Sequence, residues 1–194
     1  MNGMKSQDLV VLLKLVSLQE QDQEGLPGPN QTQGSLQGDD PYSVRNLETF
    51  LGISKTEINA SIQRSLSSGL AIKDGATGRA NPNRRNLHNF IVHGMKFVFP
   101  AKPGAMTRGI PTAFAAPMLK GLLVSGGEYI YVWPFAHGSD MGQSVPPLFK
   151  SVPEAVQKDD RLYEYLSLVD AIRLGNQREA GLAGERLSER LLKK

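Results

Sequence analysis

The chain contains no cysteine. That excludes disulfides, a thiol nucleophile and a cysteine-ligated zinc site, and it fits a reducing, cytoplasmic setting. Long apolar runs are missing too. Gln7, Asp8 and Lys14 interrupt the apolar residues that follow Met1, so neither a signal peptide nor a membrane span is expected. Catalytic signatures are equally scarce. His88 and His93 stand five apart, about 140° around a helix, and do not chelate one metal well. His137 lies close in sequence to Ser139 and Asp140, which does not make a triad. Gly104 to Gly109 holds glycines and Arg108 and offers at most a weak anion cradle, without the strand and helix of a phosphate loop. No enzyme activity, metal or cofactor is expected.

What is present permits a packed core: 194 residues, 40% of them hydrophobic, enough for one extended domain or two small ones. Net charge is only +3, but it is unevenly spread. Residues 1–41 carry two basic and six acidic residues; residues 42–96 carry eight basic and three acidic. The positive excess therefore falls on one stretch, as a phosphate-facing module requires.

That stretch also holds the clearest pattern. Ser43 is a helix N-cap, and Val44, Leu47 and Leu51, widened by Phe50, form an apolar stripe. Gly52 suits a sharp helix exit. Ser54 with Glu57 reads as a capping box, and Ile58, Ile62 and Leu66 make a second inward stripe. Gly69 stops that helix before a short strand, Ala71 to Lys73. Opposite Ile58, the side chains of Thr56, Asn59, Ala60, Gln63 and Ser67 form a short-chained polar face. Asn and Gln pair with the adenine edge, and Thr and Ala touch a thymine methyl. A helix presented in this way enters the major groove of DNA.

The run Leu51 to Leu70 resembles the winged helix-turn-helix of bacterial transcriptional regulators, including the MarR-like group. The opening helix from Lys5 to Leu15 fits that family's first helix, and the likeness covers residues 4 to 80. It implies binding of double-stranded DNA, usually as a homodimer. Thr56, Asn59, Ala60 and Gln63 would then read bases. Ser43, Arg45, Lys55, Arg64, Lys73, Arg79, Arg84 and Arg85 would hold phosphates. Arg84 and Arg85 stand in the first turn of a helix, where the dipole disfavours cations, so a nearby anion is expected. The second wing strand is a weak point: Pro82 removes an amide, and the wing is expected as a loop from Asp74 to Arg79.

The expected fold is mainly α: a winged helix-turn-helix at 1–80, a helix and an irregular Pro/Gly-rich wrapping segment at 81–150, and C-terminal helices at 151–194. Ser6 to Gln19 reads as an amphipathic helix. Residues 20–41, with Leu26 and Leu36 as the large apolar residues, read as a surface insertion. A helix is expected from Asn83 to about Val98, and a strand from Glu128 to Trp133. Ser151 with Glu154 reads as another capping box, Asp160 opens a helix that Gly175 stops, and a last helix runs from Asn176 to Leu192. Its stripe of Ala180, Ala183, Leu187 and Leu191 needs a partner, either this chain or a second subunit. Two alternatives stay open: a protein-interaction module of antitoxin-like or complex-assembly type, docking a partner through the C-terminal helices, and a ligand-responsive sensor with a pocket around Trp133 and Phe135.

Overall fold

Helix α1, Ser6–Gln23, runs through the middle of the molecule. The computed structural model describes residues 3–25, 40–123 and 127–193. α1 is not the amphipathic helix that its sequence suggests. Every residue from Gln7 to Leu18 is buried, Lys14 and Asp8 included. A helix buried on all sides is a core element rather than a surface one. Its charges are tolerated because each is paired. Lys14 Nζ lies 2.8 Å from Asp159, which also accepts from Ser17 Oγ.

Two further helices follow, α2 at Val44–Leu51 and α3 at Lys55–Ser67. Ser43 Oγ accepts the Asn46 amide at 3.2 Å, and Gly52 closes α2 in the left-handed region at φ 65°. Leu47, Leu51, Ile53 and Ile58 are fully buried and seat the pair on the core. The expected inward stripe of α3 is rotated: the buried positions are Ile58, Ser61 and Ser65, while Ile62 and Leu66 are half-buried. Short side chains there suit a close approach of α3 to α1. The expected capping box is only half made. Ser54 accepts the Glu57 amide, but the Glu57 carboxylate turns to Lys5 and Gln7 instead.

The second hairpin strand does form. β1, Ala71–Lys73, pairs antiparallel with β2, Ala80–Pro82. The amide of Asp74 bonds to Arg79 O and that of Asn83 to Leu70 O, both at 2.8 Å. The alternation of an antiparallel ladder then leaves Ala71 and Pro82 as a non-hydrogen-bonded pair. The proline's missing amide points out of the ladder and costs nothing.

α4, Arg84–His93, ends at Gly94, and α5 is the single turn Met95–Val98, so the expected continuous helix is broken. Residues 99–150, read as irregular apart from a strand at 128–133, contain three strands among the described residues, one of them overlapping that expectation. β3, Met106–Thr112, pairs antiparallel with β5, Asp140–Ser144, through its first half and with β4, Tyr131–Pro134, through its second. β4 and β5 pair in parallel, so the three strands close on one another. Gly109 sits where β3 changes partner. A side chain there would collide with the Trp133 carbonyl, and one on Gly138 would collide with Gly109 itself.

The C-terminal part comprises α6, Val152–Val156, α7, Asp160–Leu174, and α8, Gln177–Leu192. The Ser151 capping box is absent; its hydroxyl donates to Leu51 O at the end of α2. α7 is a second all-round buried helix, and Gly175 ends it as expected. α8 spends its stripe of Ala183, Leu187 and Leu191 on α7 and α4 of the same chain. One hydrophobic cluster draws on α1, α3, α4, β3, β4, α7 and α8 together. The molecule is thus mixed α/β, with helix predominant. Residues 26–39, most of the expected insertion, lie outside the described residues. No described helix is long and apolar enough to cross a membrane.

Candidate nucleic-acid interface

Thr56, Asn59, Gln63 and Ser67 are all exposed on α3, and Ala60 between them is half-buried. Their spacing of three and four residues places them on one helix face, opposite the buried Ile58. The four base-reading candidates are therefore together and reachable. None is charged, so the face itself offers hydrogen-bond donors and acceptors rather than charge.

The flanking cations divide into two groups. Arg45, Lys73 and Arg85 are exposed and make no ion pair among the described residues. The other four are already engaged by carboxylates of this chain. Lys55 Nζ stands 3.8 Å from Glu48, and its backbone amide also donates to Glu48. A carboxylate thus sits at the N-terminus of α3, where the helix dipole would otherwise attract a phosphate. Arg79, on the hairpin, pairs with Asp40 at 2.9 Å and stacks over the Tyr42 ring at 4.7 Å. Both pairs are substantially exposed, and exposed pairs contribute only about 0–1 kcal/mol, so a phosphate can displace them.

Arg64 and Arg84 do not meet the expectation of phosphate contact. Arg64 turns inward, its side chain 9% exposed, and forks onto Asp8 at 2.9 and 2.6 Å. The hydrogen bonds it donates to Asp8 raise the guanidinium pKa above its already high value. The anion that Arg84 meets is Glu20, at 3.4 Å, with Gln19 beside it. Glu20 also accepts from Tyr165 and Arg190, so this cluster binds α1, α4, α7 and α8 together. Ser43 remains half-buried with its oxygen spent on the α2 cap.

Sequence reasoning missed that Asp8, Glu48, Glu57 and Asp40 engage the cations around this face. Glu57 is held below the usual carboxylate range chiefly by its hydrogen bond from Lys5, so it stays anionic beside the α3 face. Asp8 and Arg64 are 56 residues apart, and no local pattern announces such a pair. At the hairpin tip, Asp74 accepts the amides of Ala76 and Thr77 and the side chain of Asn81. The Thr77 amide, then that of Ala76, pulls its pKa down. Lys73, at the end of β1, therefore borders a tip whose shape is fixed by an ionised aspartate.

Trp133 of the expected sensor pocket is spent on the core. It is buried, and its Nε1 donates to Asp170 at 2.7 Å, as does Thr112 Oγ1. Arg173 completes the set at 2.8 Å. The Asp170 network fastens β3 and β4 to α7. Comparisons with protein-family models, curated proteins and solved structures give no match.

Proposed function

We propose that this chain binds double-stranded DNA as a winged helix-turn-helix transcriptional regulator. α3 would lie in the major groove and the β1–β2 hairpin beside it. The observation that carries the reading is the exposed, uncharged face of Thr56, Asn59 and Gln63 on a helix seated firmly by Ile53 and Ile58. The paired hairpin, with Lys73 and Arg79 near its tip, adds support. Asn59 and Gln63 would read base edges, with Thr56 and Ala60 against methyl groups. Arg45, Lys73 and Arg85, joined by Lys55 and Arg79 once released, would set register on phosphates.

A homodimer would present two such helices to half-sites about one helical turn apart. α8 has no spare apolar stripe, so a dimer contact through it would be polar. The test is fluorescence anisotropy with a random-sequence duplex across a salt series. Three to five phosphate contacts predict a log K against log [salt] slope of roughly −2.7 to −4.5. Binding that is absent, or insensitive to salt, would refute the reading.

Two observations favour a second reading, a protein-interaction module. Phe97 on α5 is 81% exposed beside exposed Val98, and four of the basic side chains are neutralised within the chain. A salt-insensitive result would turn attention to that patch.

A further inference from the structure

The carboxylate of Asp8 serves two elements at once. Its Oδ2 accepts the Lys5 amide at 2.9 Å and closes the first turn of α1. Both oxygens accept from Arg64 on α3, from Nε at 2.9 Å and Nη2 at 2.6 Å. Asp8 is fully buried. Two parallel bonds between planar groups fix the guanidinium plane as well as its distance. The other inward groups of α3 impose no such direction. Ile58 packs without orientation, and the hydroxyls of Ser61 and Ser65 have no hydrogen-bond partner among the described residues. Glu57, at the helix start, is half-exposed; it is shared by Lys5 and Gln7 and stands 3.6 Å from Arg64, a longer and more solvated contact than the fork. The fork is thus the buried, directional tie between α1 and α3, and it holds the last turn of α3, next to Gln63.

We infer that Asp8 and Arg64 are positioning residues, whose fork sets the roll of α3 and so the direction in which Thr56, Asn59 and Gln63 point. The inference rests on the reading that this face contacts duplex DNA. Side-chain ends lie about 5 Å from a helix axis, so a roll of about 10° moves them by about 0.9 Å. That is enough to spoil a two-bond contact with a base, which needs placement within about 0.5 Å. Arg64, although basic and on the proposed recognition helix, acts from behind the face and never touches phosphate.

The wild-type protein first selects a duplex from a random pool. That duplex and a scrambled one of equal length and composition are then the two probes, followed by anisotropy across a salt series. The variants are Arg64→Gln, Asp8→Asn, the double variant and Arg64→Lys, with folding checked by circular dichroism and Trp133 emission. Each single variant is expected to lower the ratio of selected to scrambled affinity by about tenfold, within the range of one bidentate base contact. The double variant should be no worse than either single one, and the salt slope should stay as in the wild type. Arg64→Lys, which keeps the charge without the fork, should fall between. A role confined to stability would lower the active fraction for both probes and leave the ratio unchanged. If the single variants do not fold, the double variant, which leaves no unpaired buried charge, and Arg64→Lys carry the test.

An unchanged ratio in every folded variant would overturn the inference. So would a salt slope that flattens by about 0.9 in Arg64→Gln while Asp8→Asn is silent, the signature of a phosphate contact. Should the wild type enrich no duplex at all, the DNA reading itself fails, and this inference with it.

Discussion

Replacing Asp159 by alanine should come close to unfolding the protein, and the damage should shrink as pH rises. Asp159 caps α7 by accepting the amides of Arg161 and Leu162 at 3.1 and 3.0 Å. It also holds the Lys14 ammonium at 2.8 Å, with both side chains almost wholly buried. Losing the cap costs about 1 kcal/mol. Leaving a buried ammonium without its partner costs about 3–5 kcal/mol. The sum, about 4–6 kcal/mol, approaches the whole stability of an ordinary domain, about 5–15 kcal/mol.

Lys14 can escape by giving up its proton. Burial already lowers its pKa from 10.5, against the pull of Asp159, and without that carboxylate it falls further. Discharging it at about pH 7 costs about 1.4 kcal/mol per unit up to 10.5, roughly 5 kcal/mol in all, consistent with the first figure. The folded variant then holds neutral Lys14, while the unfolded chain still binds that proton. Stability therefore rises with pH between the folded pKa and 10.5, by about 1.4 kcal/mol per unit.

Lys14→Met should cost much less, about 1–3 kcal/mol, because Asp159 keeps Ser17 and two amides. Urea denaturation followed by emission of the single Trp133, at about pH 7 and about pH 9.5, measures both. An Asp159→Ala loss under about 1 kcal/mol, or one that does not change with pH, would refute the argument.

Gly109→Ala should destabilise by about 3 kcal/mol or more, because the new methyl meets the Trp133 carbonyl in the strand crossing; a melting temperature near that of the wild type would contradict this. Asp74 should titrate below 3.8 by carbon-detected NMR, since the amides of Thr77 and Ala76 favour its charged form. Its contribution to the hairpin is complete above 3.8 and lost as pH falls through the lower folded value, and a midpoint at or above 3.8 would remove that claim. Asn59→Ala should relax preference at one base pair of a selected site, a discrimination of about 1–3 kcal/mol. Unchanged specificity would clear Asn59 of base reading.

Local signals were legible where the chain's own neighbours decide the outcome. Ser43, Gly52 and Ser54 marked the ends of α2 and α3, and Gly175 and Asn176 separated α7 from α8, because caps and left-handed turns are settled within a few residues. Distant partners were not legible. α1 reads as amphipathic because Asp8 and Lys14 are charged, yet Arg64 and Asp159 neutralise them from 56 and 145 residues away. Pro82 argued against a strand until the register placed it in a non-bonded pair. The three-stranded unit was hidden because β3 owes each half of its ladder to a different strand.

The candidate face was visible in the spacing of Thr56, Asn59 and Gln63. The fate of the cations was not, since a guanidinium reads alike whether it meets phosphate or a buried aspartate. Arg64 is the clearest case: its position on α3 suggested phosphate, and only the roll of the helix turned it inward.

Selection of bound duplexes from a random pool bears on all of this most directly. The account predicts enrichment of one motif containing A·T pairs, with preference at neighbouring positions lost in Asn59→Ala and Gln63→Ala. A pool that emerges unenriched, or an identical motif from the wild type and both variants, would contradict it.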